Sequence, residues 1–489
     1  MTSESGTVRL PDELGAVDQL LHRGEANPRT RSGIMALEVL DTTPDWERYR
    51  ATYENASRRL PRLRQKVVMP TLPTAAPRWV VDPDFNFDYH VRRVRLPEPG
   101  TLRQVFDMAD VILQSPLDIS RPLWSVMLIE GLEGGRAVQL LHMSHAVADG
   151  VGIVQMFGEL YDLERDAEPR PKAPLPIPED LSPNDLMRQG INDLPSAIVG
   201  GIRGALSGAV GVVTKTIADP GSAVTAALNY AGSGRRSVRR AAEPSPLLLR
   251  RSLTTRTEAI DMKLSDFHRA AKAAGGSIND AYLAALCGAL GRYHEALGVP
   301  IATLPMAVPV NLRSASDPAG GNRFTGVNLA APIGTKDPVA RILKIRTQMT
   351  QRREDAAFDV MGAVAPVVSL LPDAVLESMT GSLLSADIQA SNVPVYPGDT
   401  FIAGAKVLRQ FGIGPLPGVA MMAVLVSRGG YCTITVRYDR ASVTDEQLFA
   451  RCLQEGFDEI LALAGDPPPT STPASFTAGD PATNGSGRS

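Results

Sequence analysis

Apolar and polar positions recur along this chain with two different periods, and those periods divide it into helices and strands. From Asp45 to Leu63 the apolar residues repeat at helical spacing, which predicts a helix. Trp79–Leu96 and Leu123–Glu130 show the tighter alternation of strands. The turn Gly131-Leu132-Glu133-Gly134-Gly135 joins two strand patterns as a hairpin would. Further on, Ile278–Tyr293 and Pro338–Arg353 predict helices, and Leu304–Val310 and Cys432–Tyr438 predict strands. The chain therefore reads as α/β in two stretches of similar length, 1–165 and 246–464.

Residues 166–184 between them are rich in proline (Pro169, Pro171, Pro174, Pro176, Pro178, Pro183) and read as a linker. Asp185–Gly234 is dense in Gly, Ala, Val and Ile and ends in a basic cluster, Arg235, Arg236, Arg239 and Arg240. Two readings stand for it: helices packed across the two halves, or an interfacial helix lying on a lipid surface. The linker and this segment together occupy 166–245. From 465 to 489 the Pro-Pro-Pro run and the many Gly, Ser and Thr residues predict a disordered tail.

A chain of 489 residues is too long for one ordinary core. Its 44% hydrophobic and 21% charged residues are those of a soluble globular protein. A net charge of −3 with no basic stripe argues against nucleic acid as a partner. Three scattered cysteines, Cys287, Cys432 and Cys452, support neither a disulfide framework nor a metal site, and they fit a reducing compartment. The polar, acidic N-terminus lacks a secretory signal, and no apolar run reaches the roughly 18 residues of a membrane span. A cytoplasmic location follows, with attachment to the inner face of the membrane left open.

Candidate chemistry concentrates in Val138-Gln139-Leu140-Leu141-His142-Met143-Ser144-His145-Ala146-Val147-Ala148-Asp149-Gly150. A strand-like run leads into His145, and a helix-like pattern follows Gly150. In one reading Asp149 caps that helix and His145 is an ordinary, satisfied histidine. In the other, His145 removes the proton from an alcohol as it attacks a thioester. Asp149 then shapes the turn through an arginine, and Gly150 allows the tight backbone. The remaining histidines read as structural. His22, His268 and His294 fall on helix surfaces, His90 on a strand, and His142 faces away from His145 at the same turn.

This segment resembles the HHxxxDG motif of the wax ester synthase/diacylglycerol acyltransferase family, with Ser144 where the first histidine usually stands. Other stretches resemble the family's motifs in family order: Phe87-Asp88-Tyr89-His90-Val91, Pro122-Leu123-Trp124, Asn279-Asp280, Pro309-Val310-Asn311-Leu312-Arg313, Ser391-Asn392-Val393-Pro394 and Gly414-Pro415-Leu416. The chain departs from the pattern after Gly418, where Val419-Ala420-Met421 replaces the usual Gly-x-Asn.

The resemblance implies two chloramphenicol-acetyltransferase-like domains, each a mixed sheet flanked by helices, with an active-site channel at their interface. It implies His145 as the catalytic base, and Asp149, Gly150 and Arg64 as structural residues around it. Ser144, Trp124, Asn279, Asp280, Ser391 and Asn392 are the implied substrate contacts. The implied reaction moves a fatty acyl group from acyl-CoA, as substrate, to diacylglycerol or a long-chain alcohol, with no metal and no other cofactor. Two alternatives remain: a carrier-bound acyl donor for a complex lipid, or a weakly active lipid-binding paralogue.

Overall fold

The computed structural model describes residues 11–72, 75–147, 158–193, 241–311, 324–355, 386–393, 395–396, 398–465 and 467–474. The first half holds α1 (Ala16–Gly24), β1 (Ile34–Leu40), α2 (Trp46–Arg59), β2 (Gln65–Val68), β3 (Arg78–Val81), α3 (Phe87–His90), β4 (Val91–Arg95), α4 (Leu102–Gln114), β5 (Trp124–Leu132), β6 (Arg136–Met143) and α5 (Pro183–Asp193). The second half begins with β7 (Thr255–Lys263), α6 (Leu264–Ala273), α7 (Ile278–Ala296), β8 (Leu304–Asn311), β9 (Phe324–Ala331) and α8 (Pro338–Asp355). It closes with β10 (Ile388–Val393), β11 (Phe401–Ile402), β12 (Ala405–Ile413), β13 (Met421–Arg428), β14 (Tyr431–Asp439), α9 (Glu446–Leu461) and β15 (Thr472–Pro473).

Local chemistry explains where the elements start and stop. Asp45 caps α2 by accepting a hydrogen bond from Arg48 N at 2.8 Å. The helix ends at Arg59, short of the expected Leu63, because Pro61 disfavours helical geometry at Leu60. The strand expected over Trp79–Leu96 is broken in two. Asn86 accepts hydrogen bonds from Asp88 N and Tyr89 N, which starts the short helix α3 before β4. His90 therefore ends a helix rather than lying on a strand. The β5–β6 hairpin forms as expected, and Gly134 (φ 75°) takes the left-handed geometry its turn requires.

Two large sheets result. The first has six strands in the order β11-β12-β1-β6-β5-β4, and the second seven in the order β15-β7-β14-β13-β10-β8-β9. The pairing cuts across the division expected at 246–464. β12 comes from the second half yet lies antiparallel to β1 in the first sheet, Met35 opposite Ile413 and Glu38 opposite Gln410. Its alternation looks like that of any half-buried strand, so the sequence carries no sign of which sheet it joins.

Alternation along β1 and β6 gives the first sheet two apolar faces. Leu37, Val39, Val138 and Leu140 pack with Phe106, Ala109 and Leu113 of α4. Leu40, Leu141 and Met143 pack on the opposite side with Tyr49 and Tyr53 of α2. The second sheet covers its own core with α6, α7, α8 and α9. The two layers meet where α4 touches β7. There Asp110 accepts hydrogen bonds from Thr257 N (2.8 Å) and Thr257 Oγ1 (2.7 Å), and Arg103 donates to Thr257 O at 2.8 Å.

The proline-rich linker is held against α2. Arg48 donates to Ala167 O (3.1 Å), Asn55 to Pro171 O (3.2 Å) and Arg58 to Ala173 O (3.2 Å). Proline-rich backbone is poor in N–H groups, so its carbonyls are met by side chains here. The expected tail contains structure as well: Thr472 and Pro473 pair with β7, and Asp458 accepts from Ser471 N and Ser471 Oγ. Residues 194–240 and 475–489 lie outside the described residues, and with them most of the Gly/Ala/Val-rich segment. Among the described residues no helix is long and apolar enough to cross a membrane.

Candidate active site

β6 delivers the candidate base. It ends at Met143, opposite Trp124 of β5 and Ile34 of β1, near the middle of the first sheet. Ser144 N then donates to Leu123 O at 2.9 Å, and Val147 N to Ser144 O at 3.1 Å, closing a tight turn over Ser144–Val147. Ala146 and Val147 are buried. His145 is half-buried, the one residue of that turn neither fully enclosed nor free on the surface.

The other histidines differ from His145 in burial. The chain has six. His22, His90, His142 and His294 are buried, at 5%, 0%, 3% and 0% exposure. His268 stands exposed on α6. Only His145 both follows directly on an inner strand and is neither fully buried nor fully exposed. His22 and His294 were expected on solvated surfaces, so the burial of each is a correction. A surface-like pattern on α1 and α7 did not show what packs over each histidine. A Ser–His pair does occur in the second half, where Ser245 Oγ lies 2.7 Å from His294 Nε2. Both residues are fully buried and Ser245 caps a short helical turn, so this pair is structural rather than nucleophilic.

Behind the turn lies a polar cluster that the sequence did not disclose. Ser144 Oγ donates to Glu25 Oε1 at 2.8 Å, and Ser32 Oγ donates to the same oxygen at 2.9 Å. Glu25 follows α1 and is completely buried. Burial pushes its carboxyl above the usual range, against the pull of the two hydroxyls and Arg31. His142 lies on the same face of the sheet as Met35, its partner on β1, toward α4. Burial, reinforced by the positive charges of Arg437, Arg31 and Arg92, lowers its pKa to about 4. Arg437 belongs to β14 of the second sheet, so this cluster sits where the two layers meet.

The other expected site residues are placed as follows. Arg64, an expected structural residue of the site, engages Glu54 Oε1 (3.1 Å) and Ser57 Oγ (3.1 Å) of α2 and lies over the Phe85 ring. Asp149 and Gly150 lie outside the described residues. Trp124 was expected to contact substrate. It is instead a core residue, 1% exposed, stacked on His90 and Tyr53 and donating to Leu63 O at 2.7 Å.

Asp280 likewise serves the fold. It forms a capping box with Ser277 at the start of α7, accepting from Ser277 N (2.9 Å) and Ser277 Oγ (2.7 Å). Asn279 is half-buried in the same first turn. Ser391 and Asn392 lie on β10 beside β13, beyond Ile388 and Gln389, the β10 residues that pair with β8. Asn392 is exposed there.

Solved structures share this fold. The chain is similar to the wax ester synthase/diacylglycerol acyltransferase from Marinobacter aquaeolei VT8, with a TM-score of 0.63 at 19% identity over 93% of this chain and 100% of that one. It is also similar to the first condensation domain of the calcium-dependent antibiotic synthetase, with a TM-score of 0.56 at 15% identity over 95% and 98% of the two chains. The fold is thus the two-layer acyltransferase and condensation-domain fold that the resemblance implied.

Sequence comparison narrows the class. Residues 9–282 match the wax ester synthase/diacylglycerol acyltransferase catalytic domain, and residues 320–461 match the C-terminal domain of the same family. The chain belongs to that family and is an acyltransferase. A Mycobacterium tuberculosis (strain ATCC 25618 / H37Rv) protein, provisionally named diacylglycerol O-acyltransferase, is 72% identical over 475 residues, 97% of each chain.

Proposed function

We propose that this acyltransferase moves a fatty acyl group from acyl-CoA to the hydroxyl of diacylglycerol, with His145 as general base. The observation that supports the proposal is the histidine comparison: His145 alone both follows directly on an inner strand and is half-buried rather than enclosed or fully exposed. In the reaction the acceptor oxygen attacks the thioester carbonyl and His145 takes the hydroxyl proton. The C–O bond forms, the C–S bond breaks, and the imidazolium returns the proton to the departing thiolate. The acceptor attacks directly, so no serine or cysteine nucleophile is needed. Asp149 and Gly150 are assigned to the shape of the turn, and Asn279, Ser391 and Asn392 to the walls that receive the substrates. Diacylglycerol is favoured as acceptor by the 72% identical relative's name. The enzyme meets its lipid acceptor at a membrane or droplet surface.

The test is the purified full-length protein with long-chain acyl-CoA and either diacylglycerol or a long-chain alcohol, scored for free thiol and for the ester formed. Triacylglycerol as the faster product is the expected result. A faster wax ester moves the acceptor assignment to the alcohol. No ester from either acceptor, with turnover only from a carrier-bound thioester, overturns acyl-CoA as donor.

A further inference from the structure

Ser144 stands where the family's motif carries its first histidine, and its surroundings show what the chain does with the smaller side chain. Ser144 is fully buried. Its hydroxyl donates to Glu25 Oε1 at 2.8 Å and accepts from Ala146 N at 3.3 Å. One side chain therefore links a buried carboxyl to the backbone on the far side of His145.

The carboxyl is itself rigidly held. Ser32 donates to the same Oε1, and Arg31 Nε donates to Glu25 O at 3.1 Å. The connection from α1 to β1 is folded upon itself by Thr30 Oγ1 to Gly24 O at 2.9 Å and Arg31 N to Asn27 O at 2.9 Å. A buried carboxyl of this kind is costly, and well-packed apolar residues often serve stability as well or better. Its geometry points to a use beyond stability. Space around it is tight: a Cβ on Gly33 would lie 2.9 Å from His142 Nε2 and 4.0 Å from Glu25 Oε2.

We infer that Glu25 is a positioning residue for acyl transfer, acting through Ser144 to fix the turn that aims His145. The inference rests on the reading of His145 as the base. Glu25 touches neither substrate nor reacting atoms. Its loss should alter the orientation of the imidazole and leave the binding of acyl-CoA alone, and misplacement by about 1 Å can lower turnover on the order of 100-fold.

The experiment compares Glu25→Leu, Glu25→Gln, Ser144→Ala, the double variant Glu25→Leu/Ser144→Ala, and His145→Ala, all in the full chain. Thiol release with acyl-CoA and diacylglycerol gives kcat and KM, and thermal unfolding reports the fold. Glu25→Leu should lower kcat about 10- to 100-fold with KM for acyl-CoA within about twofold. Glu25→Gln should restore most of kcat, because its amide oxygen still accepts both hydroxyls. The double variant should be no worse than Glu25→Leu, since both changes cut the same link.

Unchanged kcat in Glu25→Leu overturns the inference, as do losses that multiply in the double variant or a Glu25→Gln no better than Glu25→Leu. Should Glu25→Leu fail to fold, Ser144→Ala decides by itself: wild-type kcat there is equally fatal. His145→Ala separates the two claims. If it is active, the base assignment fails; if it is inactive while the Glu25 variants match wild type, only the positioning role fails.

Discussion

Two buried carboxylates sit on opposite faces of the first sheet, and their surroundings differ sharply. Glu38 lies on β1 opposite Gln139 and Gln410, on the side covered by α2. Both of its oxygens are used: Arg428 pairs with Oε1 at 2.8 Å, while Tyr161 OH (2.6 Å) and Gln139 Nε2 (2.9 Å) donate to Oε2. Tyr49 OH in turn donates to Gln139 Oε1, and Arg428 also donates to Gln410 Oε1 and Thr400 Oγ1. Glu25, on the other side, uses Oε1 alone. Among the described residues neither Glu25 Oε2 nor the nearby His142 Nε2 has a hydrogen-bond partner. A network that uses both oxygens of its carboxylate is what a structural joint looks like, and this one ties β12 and β13 to β1. A buried group left half-satisfied marks a place where stability has been given up for the site beside it.

If that contrast is right, breaking the Glu38 network should have the largest effect. Glu38→Ala leaves Arg428 buried without its carboxylate and should destabilise the protein by about 3–5 kcal/mol in denaturant unfolding. A loss near zero would make the network incidental to the joint between the sheets.

The next effect is a pH dependence within the half-satisfied cluster on Glu25's side of the sheet. His142 has a folded pKa of about 4, below its unfolded value, so the unfolded state binds its proton first on acidification. Stability should therefore fall as pH drops from about 6.5 toward 4, by roughly 3 kcal/mol once the window is crossed. Glu25 contributes with the opposite sign. Its raised pKa gives stability that is full below the unfolded carboxylate value and lost as pH rises through the folded one. His142→Gln should flatten the acid-side loss seen by thermal unfolding, and a curve superimposable on wild type would refute the assignment.

A smaller effect is expected from restoring the family's histidine. Ser144 is fully buried and bonded on two sides, so Ser144→His must displace Glu25 and should lower kcat at least about tenfold, or 1.4 kcal/mol in the barrier. Higher turnover would show that the cluster accommodates either residue. Smallest in its effect on turnover is Gly33→Ala, whose methyl would press on His142 Nε2 at 2.9 Å. A stability loss of about 1–3 kcal/mol is expected from overpacking, with kcat lowered less than in Ser144→His.

Periodicity made the strands and helices around the site legible, and the ordered motifs made the family legible. The β5–β6 hairpin, the strand leading to His145 and the helices α7 and α8 all fall where their patterns place them. What stayed hidden depends on long-range partners. Glu25 meets Ser144 across 119 residues, and nothing in its neighbours announces a buried carboxyl. β12 crosses into the first sheet because of its register with β1, which no local pattern encodes. Trp124 and Asp280 were legible as motif positions. Their roles in core packing and helix capping became visible only with Leu63, His90 and Ser277 around them.

The measurement that bears most directly on the whole account is thiol release by wild type and by His145→Ala, with acyl-CoA and diacylglycerol at saturation. A general base contributes about 10² to 10⁴ in rate, so the variant should fall by that factor while its unfolding temperature stays close to wild type. A folded His145→Ala protein that keeps more than about a tenth of wild-type turnover would contradict the account, because general-base catalysis at this turn predicts a far larger loss.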